Sequence, residues 1–288
     1  MKLLTTACFI ALAFISVAAA KPPQTEEERT AALRALTWRD GKTLALPLSH
    51  ATLQAPEGIS QLLGKDAATL WEALNGVDAP SGMEASLYDP KTEALVFFQK
   101  LGDGYVKLDD WEDVDADAML KSVSENTEAD NARRKATGLA GLHVVGWRER
   151  PHLDRAANTV RWSFEARDDE SGELVNSIAL VLARDGFEKL IWVGAKKDAG
   201  GNDLLKVAQA SFAFPVGGRY GDFQAGDKVA EYGIAGLVAS VLGAKVAAKL
   251  GLFALIAVFA KKIGVFLLVP LFAIVAWVKR RFARNKPT

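Results

Sequence analysis

Residues 159–167 read TVRWSFEAR. Val160, Trp162, Phe164 and Ala166 alternate with Arg161, Ser163, Glu165 and Arg167, and an extended strand is what turns a period of two into two distinct faces. One face of such a strand is buried and the other wetted, as in an antiparallel sheet covered on one side. Working outward, 142–148, 174–184 and 187–194 carry the same bias toward β-branched and aromatic residues, and Asp185-Gly186 marks a tight turn between the last two. Short connections make the four stretches an antiparallel meander.

Upstream the period changes. Thr25, with Glu28 three residues later, forms a capping box that opens a helix over 25–36. Strand-like stretches follow at 42–46, ended by Pro47, and at 52–55. A helix is expected over 66–74, ending at Asn75-Gly76, and then a hairpin pairing 94–99 with 105–108 across Leu101-Gly102-Asp103-Gly104. The acidic run DDWEDVDAD (109–117) opens a longer helix over 115–136. Met119, Leu120, Val123 and Thr127 supply its buried stripe and Gly138 closes it. Asn202 caps a helix reaching about residue 213, and PVGGRYGDF (215–223) leads out of the domain. The expected fold is α+β: a curved antiparallel sheet with flanking helices on one face, followed by a C-terminal helical membrane anchor.

The anchor rests on IGVFLLVPLFAIVAWV (263–278), bounded by Lys261 and Lys262 before it and Lys279, Arg280 and Arg281 after it. As a helix it spans roughly 24 Å, somewhat less than a ~30 Å hydrocarbon core. Snorkelling lysines and arginines, with Trp277 at the interface, make up the difference. Ahead of it, Ala235, Ala239, Gly243, Ala247 and Gly251 recur every four residues, a small-residue seam suited to close helix packing or self-association. At the other end, MKLLTTACFIALAFISVAAAK has the form of a secretory signal cleaved after Ala20. Cys8, the sole cysteine, lies inside it, so the mature chain has no thiol ligand and no disulfide. The expected segments are a signal (1–20), an exported α+β domain (21–228), a membrane-associated helix (229–260), and a transmembrane helix with a basic tail (261–288).

The residues after Glu231 hold nine of the 35 Lys and Arg and none of the 35 Asp and Glu, so everything before them is nine charges negative. An acidic domain argues against nucleic acid as a partner. With one span the basic end lies in the cytoplasm and the domain in the periplasm of a bacterial inner membrane. The implied partners are membrane lipids, a second copy through the small-residue helix, and an envelope protein.

Sites of chemistry are sparse. His50, His143 and His152 share no metal-ligand spacing. Asp113, Asp115 and Asp117 imitate the first ligands of a calcium loop, but Ala118 stands where glycine is required and Ser124 where a glutamate is. The glycine-rich stretch at Gly217 lacks the strand and helix of a phosphate loop, and no nucleophile elbow occurs. No catalytic residue, metal or cofactor is therefore assigned.

Several stretches recur together: Trp38-x-x-Gly41; VDADAMLKSV (114–123); Thr127-Glu128-x-x-Asn131-x-x-Arg134; Gly146-Trp147-x-x-x-Pro151 with Asp154; Val175-Asn176-Ser177 with Leu182-x-Arg184-x-Gly186; and Tyr220-x-Asp222-Phe223 with Asp227-Lys228-Val229-Ala230-x-Tyr232-Gly233. This set resembles an uncharacterised bacterial family of membrane-anchored proteins, a domain of unknown function. The family's early LP-x-x-Y-like segment is degenerate here, as Ala55-Pro56-Glu57-Gly58. The resemblance implies an exported domain on a C-terminal anchor and supplies no activity. Trp147, Asp154, Asn176, Arg219, Tyr220 and Asp222 are the candidate binding residues, with Trp147, Trp162 and Trp192 read as core. The expected function is a non-enzymatic envelope interaction module. The alternatives are a carboxylate-based envelope hydrolase and a small-ligand or lipid-binding domain.

Overall fold

The strand at 159–167 lies inside a sheet twice the width of the expected meander. In a computed structural model, residues 25–136, 138–196 and 204–242 are described, all within one unit, Met1–Lys245. Eleven strands and five helices follow in the order α1 (Glu26–Arg34), β1 (Arg39–Asp40), β2 (Thr43–Ala45), β3 (Thr52–Gln54), β4 (Ser60–Leu63), α2 (Lys65–Asn75), β5 (Met83–Asp89), β6 (Ala94–Leu101), α3 (Ala116–Ala136), β7 (Leu142–Asp154), β8 (Thr159–Asp168), β9 (Gly172–Ala183), β10 (Gly186–Ala195), α4 (Leu204–Ser211), β11 (Phe212–Ala213) and α5 (Ile234–Val241). Eight strands form an antiparallel sheet in the order β1-β4-β5-β6-β10-β9-β8-β7, and β11-β3-β2 form a small second one.

Alternation along β10 sorts the two faces. Leu190 and Trp192 join α4, β3 and β11 in one core, with Phe98, Val175 and Phe212. Ile191 and Val193 face α2 around Trp71 and Phe97, whose rings meet edge-on at 5.2 Å. Phe187 belongs with Val160, Trp162 and Phe164 beneath α3 and α5. Helices therefore cover both faces, a correction to the one-sided arrangement: the 174–184 and 187–194 strands are apolar on both sides and need two covers.

Local signals account for much of this. Thr25 and Glu28 exchange both capping-box hydrogen bonds. Gly138 follows α3 at φ +72°. Along α3 the buried stripe is Met119, Val123, Thr127, Asn131 and Arg134, so its second half is polar. Asn131 both donates to and accepts from the backbone of Leu142 at 2.8 Å, and Arg134 donates to the Ala140 carbonyl. Those bonds satisfy groups that burial would otherwise leave unpaired, and they fix the helix against β7.

Three expectations are corrected. The 94–99 strand pairs with β5 and β10, not with 105–108. Its hairpin turn is at Asp89, whose carboxylate accepts from the Lys91 N–H and the Thr92 hydroxyl, both at 2.9 Å, and neither β4 nor β5 was anticipated. Tyr105 instead bridges Val229. The domain also continues past residue 228. Ile234, Leu237, Val238 and Leu242 are buried with Val106, Met119 and Val123, and Asp110 accepts from the Ala235 N–H at the start of α5, where a helix carries unsatisfied donors and partial positive charge. Ala235 and Ala239, assigned to a membrane seam, are each 4% exposed inside this core. Gly243, Ala247, Gly251, the anchor at 263–278 and the signal at 1–20 lie outside the described residues. Among the described residues, no helix is long and apolar enough to cross a membrane.

Candidate functional site

Where β7 to β10 pass α4, the sheet opens into a cleft of about 430 Å³. Its floor takes Ser163, Val175, Ser177 and Trp192; Arg148, Glu149 and Arg161 stand along one side, and Leu205, Lys206 and Gln209 of α4 along the other. The same alternation builds it: Val160, Trp162 and Phe164 go to the covered face, which leaves Arg161 and Ser163 on the cleft side. Ser163 lies directly opposite Ser177 and Glu149 opposite Ser163. The Arg161 Nε donates to Glu149 at 2.9 Å. Arg148 lies 3.8 Å from Glu165, which Lys196 also meets at 3.0 Å; Glu165, with Glu173 at 3.3 Å, holds the Lys196 ammonium above its ordinary pKa. Trp192 is 1% exposed, and its indole N–H meets no protein acceptor. The cleft thus presents hydrogen-bond donors around a floor of two serines, Val175 and the Trp192 ring. A second groove, about 750 Å³, runs along the small sheet past Ala55, Pro56 and Glu57.

None of the six residues singled out in the sequence lines the cleft, and all six make structural contacts or sit in structural rows. Trp147 is half-buried because β7 is an edge strand; its indole donates to the Ala116 carbonyl at 3.1 Å and its ring meets Phe164 edge-on. Asn176 lies across from Phe164 in the same row and is buried. Asp154 accepts from the N–H groups of Ala156 and Ala157 in the β7–β8 turn; the Ala157 bond leads in holding its carboxyl below the ordinary range.

Arg219, Tyr220 and Asp222 come together in a strap running from Gly217 to Gly233. Asp222 accepts from the N–H groups of Gly217 and Arg219. Tyr220 donates to the Val106 carbonyl at 2.7 Å and stacks on Tyr105, which also stacks on Phe223; burial pushes the Tyr220 hydroxyl pKa upward, keeping it a donor. Asp227 accepts two hydrogen bonds of 2.7 Å from Arg184, Tyr232 donates to Asp103, and Gly233 is held against the Asp110 carboxylate. The most distinctive sequence motif therefore ties the 102–110 loop to the sheet.

Two further clusters went unflagged. His143 bridges Glu128 at 2.7 Å and Asp169 at 3.1 Å, joining α3 to the β8–β9 turn. Glu84 and Glu188 are both fully buried. Glu84 accepts from the N–H groups of Leu48 and Ser49, whereas neither Glu188 oxygen meets a hydrogen-bond donor. Burial, then the Glu84 charge, drives the Glu188 pKa well above the carboxylate range. No group of three or more metal-ligating side chains occurs among the described residues. The acidic run is spread over local roles: Asp115 accepts from the Ala118 N–H, Asp117 pairs with Arg150 and Asp110 meets α5. The cleft was legible only in part, since alternation marks Arg161 and Ser163 as one face but α4 supplies the opposite wall.

A comparison with curated proteins found no match. Among solved structures, the solution structure of cyanobacterial PsbP (CyanoP) from Synechocystis sp. PCC 6803 matches 60% of this chain and 92% of its own, at 10% identity and a TM-score of 0.34. A crystal structure from Bacteroides thetaiotaomicron VPI-5482 matches 62% of this chain and 49% of its own, at 12% identity and a TM-score of 0.29. Similarity at that level carries no functional argument. The family comparison covers residues 39–272, from β1 through the strap and α5, and by it the chain belongs to the family described as "Protein of unknown function (DUF2167)".

Proposed function

We propose that this protein is a membrane-tethered binding module of the bacterial envelope, with the cleft beside α4 as its ligand site. The acidic domain faces the periplasm, and the segment 263–278 with its basic flanks holds it to the inner membrane. The observation that favours binding over hydrolysis is the cleft lining: Glu149 is its one carboxylate, and it is paired with Arg161. Carboxylate-based hydrolysis calls for two acids flanking the reacting bond, held at different pKa values. Glu188, though its pKa is raised, is sealed from solvent beside Glu84.

Fractionation tests the tether. The full chain is expected in the membrane pellet after a high-salt wash and in the protease-accessible fraction of spheroplasts, while a chain ending at residue 242 is expected in the soluble fraction. Retention of the shortened chain on washed membranes would defeat the proposal, as would protection of the full-length domain from external protease.

A further inference from the structure

The cleft discriminates by chemistry as well as by shape. Arg148, Arg161 and Lys206 carry only donors, and so does the Trp192 indole; the serine hydroxyls and Gln209 both donate and accept, leaving Glu149 as the one pure acceptor side chain in the lining. Arg161 is paired with Glu149 and Arg148 with Glu165, so the side chains that meet a ligand here are cations already oriented by carboxylates. Val175 and Trp192 in the floor and Leu205 on α4 set apolar surface beside these charges, which strengthens interactions made against it. The Arg161 Nε bond to Glu149 orients the guanidinium and leaves its two terminal nitrogens for a forked contact, the geometry that matches phosphate and carboxylate.

Resting on the reading of the cleft as a ligand site, we propose that it takes a phosphate oxyanion borne on a small polar molecule or on a phospholipid headgroup. Arg161 from the sheet and Lys206 from α4 hold the charge across the cleft. The hydroxyls of Ser163 and Ser177 supply neutral donors at the floor. Glu149 acts against the ligand charge while keeping Arg161 in position, so it sets the affinity rather than carrying it.

Calorimetric titration of the full chain in non-ionic detergent tests this with four probes: glucose 6-phosphate, glucose, dihexanoylphosphatidylglycerol and dihexanoylphosphatidylcholine. Binding is expected from glucose 6-phosphate, from the phosphatidylglycerol probe, or from both, with none from glucose. The probe that binds identifies the source of the phosphate. Arg161→Gln and Lys206→Gln are each expected to weaken binding about tenfold, the worth of one hydrogen bond to a charged group. Glu149→Gln is expected to tighten it, a direction that mere disruption of the fold does not produce. Affinity should also fall with added salt. Equal binding of glucose and glucose 6-phosphate would overturn the oxyanion assignment while leaving a ligand cleft. An affinity unchanged in both cation variants, or no heat from either anionic probe, would overturn the inference while leaving the tether to be judged by fractionation.

Discussion

Replacing Glu188 with Gln should change how stability depends on pH in a direction opposite to ordinary surface carboxylates. Glu188 is fully buried on β10, directly across from Lys100 of β6. The Lys100 ammonium is engaged at 2.6 Å by Asp185, a largely exposed partner, and Glu84 lies close enough to oppose a second negative charge. From the 46–51 loop, Ser49 and Leu48 offer only N–H groups already taken by Glu84. Desolvation and Glu84 therefore keep Glu188 protonated in the native state at pH values where the unfolded chain has lost that proton. A raised native pKa makes stability fullest below the unfolded value of about 4.3, with loss as pH rises toward the native value. One proton corresponds to about 1.4 kcal/mol per pH unit inside that window. With a urea m-value of about 2 kcal/mol/M, the midpoint moves by about 0.7 M per pH unit. Glu188→Gln keeps the shape and removes the titration, so its midpoint should slope less steeply by about that amount as pH rises above the unfolded value of about 4.3, and the variant should be the more stable at the alkaline end. The assay is urea unfolding of the full chain in non-ionic detergent, followed by tryptophan emission. Parallel slopes for the two proteins would refute the reasoning.

Three other outcomes are expected. Asn131→Ala leaves the Leu142 N–H and C=O unpaired at a buried site and should cost about 2–4 kcal/mol in the same urea assay, with α3 amides exchanging faster. Gly186→Ala places a Cβ against the Leu101 carbonyl oxygen at φ +149°; a loss of at least about 2 kcal/mol is expected, measured as a lowered thermal midpoint. Asp227→Asn removes the carboxylate that takes two of the Arg184 hydrogen bonds, and limited proteolysis should then cut between residues 214 and 233. Because the Arg184 hydrogen bonds lower the Asp227 pKa, that contact is present above the unfolded aspartate value of about 3.9 and lost as pH falls through the lower native one, so acidification of the unmodified chain should open the same cleavage sites.

The β-meander was readable because period-two alternation is a local signal with a strong energetic cause: slipping by one residue would expose Trp162 and Phe164. Capping at Thr25 and closure at Gly138 were readable for the same reason, since each involves groups within one turn. The 105–108 segment misled because Tyr105-Val106-Lys107-Leu108 has strand-like alternation, yet Leu101 is already paired with Phe187 and Tyr105 is claimed by Val229. In β5, the stretch MEASLYD carries no β-branched residue, so its placement between β4 and β6 comes from its strand partners. Tyr220, Asp222 and Asp227 stood out as a motif, but their role as a strap depends on Val106, Tyr105 and Arg184, which lie 114, 115 and 43 positions away.

By itself the sequence determined the fold class, the antiparallel pairing of 142–194, and a charge and hydropathy gradient that sets an acidic domain against a basic apolar C-terminus. Those properties come from side-chain periodicity and summed charge, which need no knowledge of what packs on what. Tertiary structure decided that helices cover both faces, that α5 belongs to the domain, and that Glu188 is buried beside Glu84. It also decided that Arg161 and Lys206 face each other across a cleft. The reason is common to all four: burial and electrostatic environment are set by the neighbours that folding brings from elsewhere in the chain, and no local pattern encodes them.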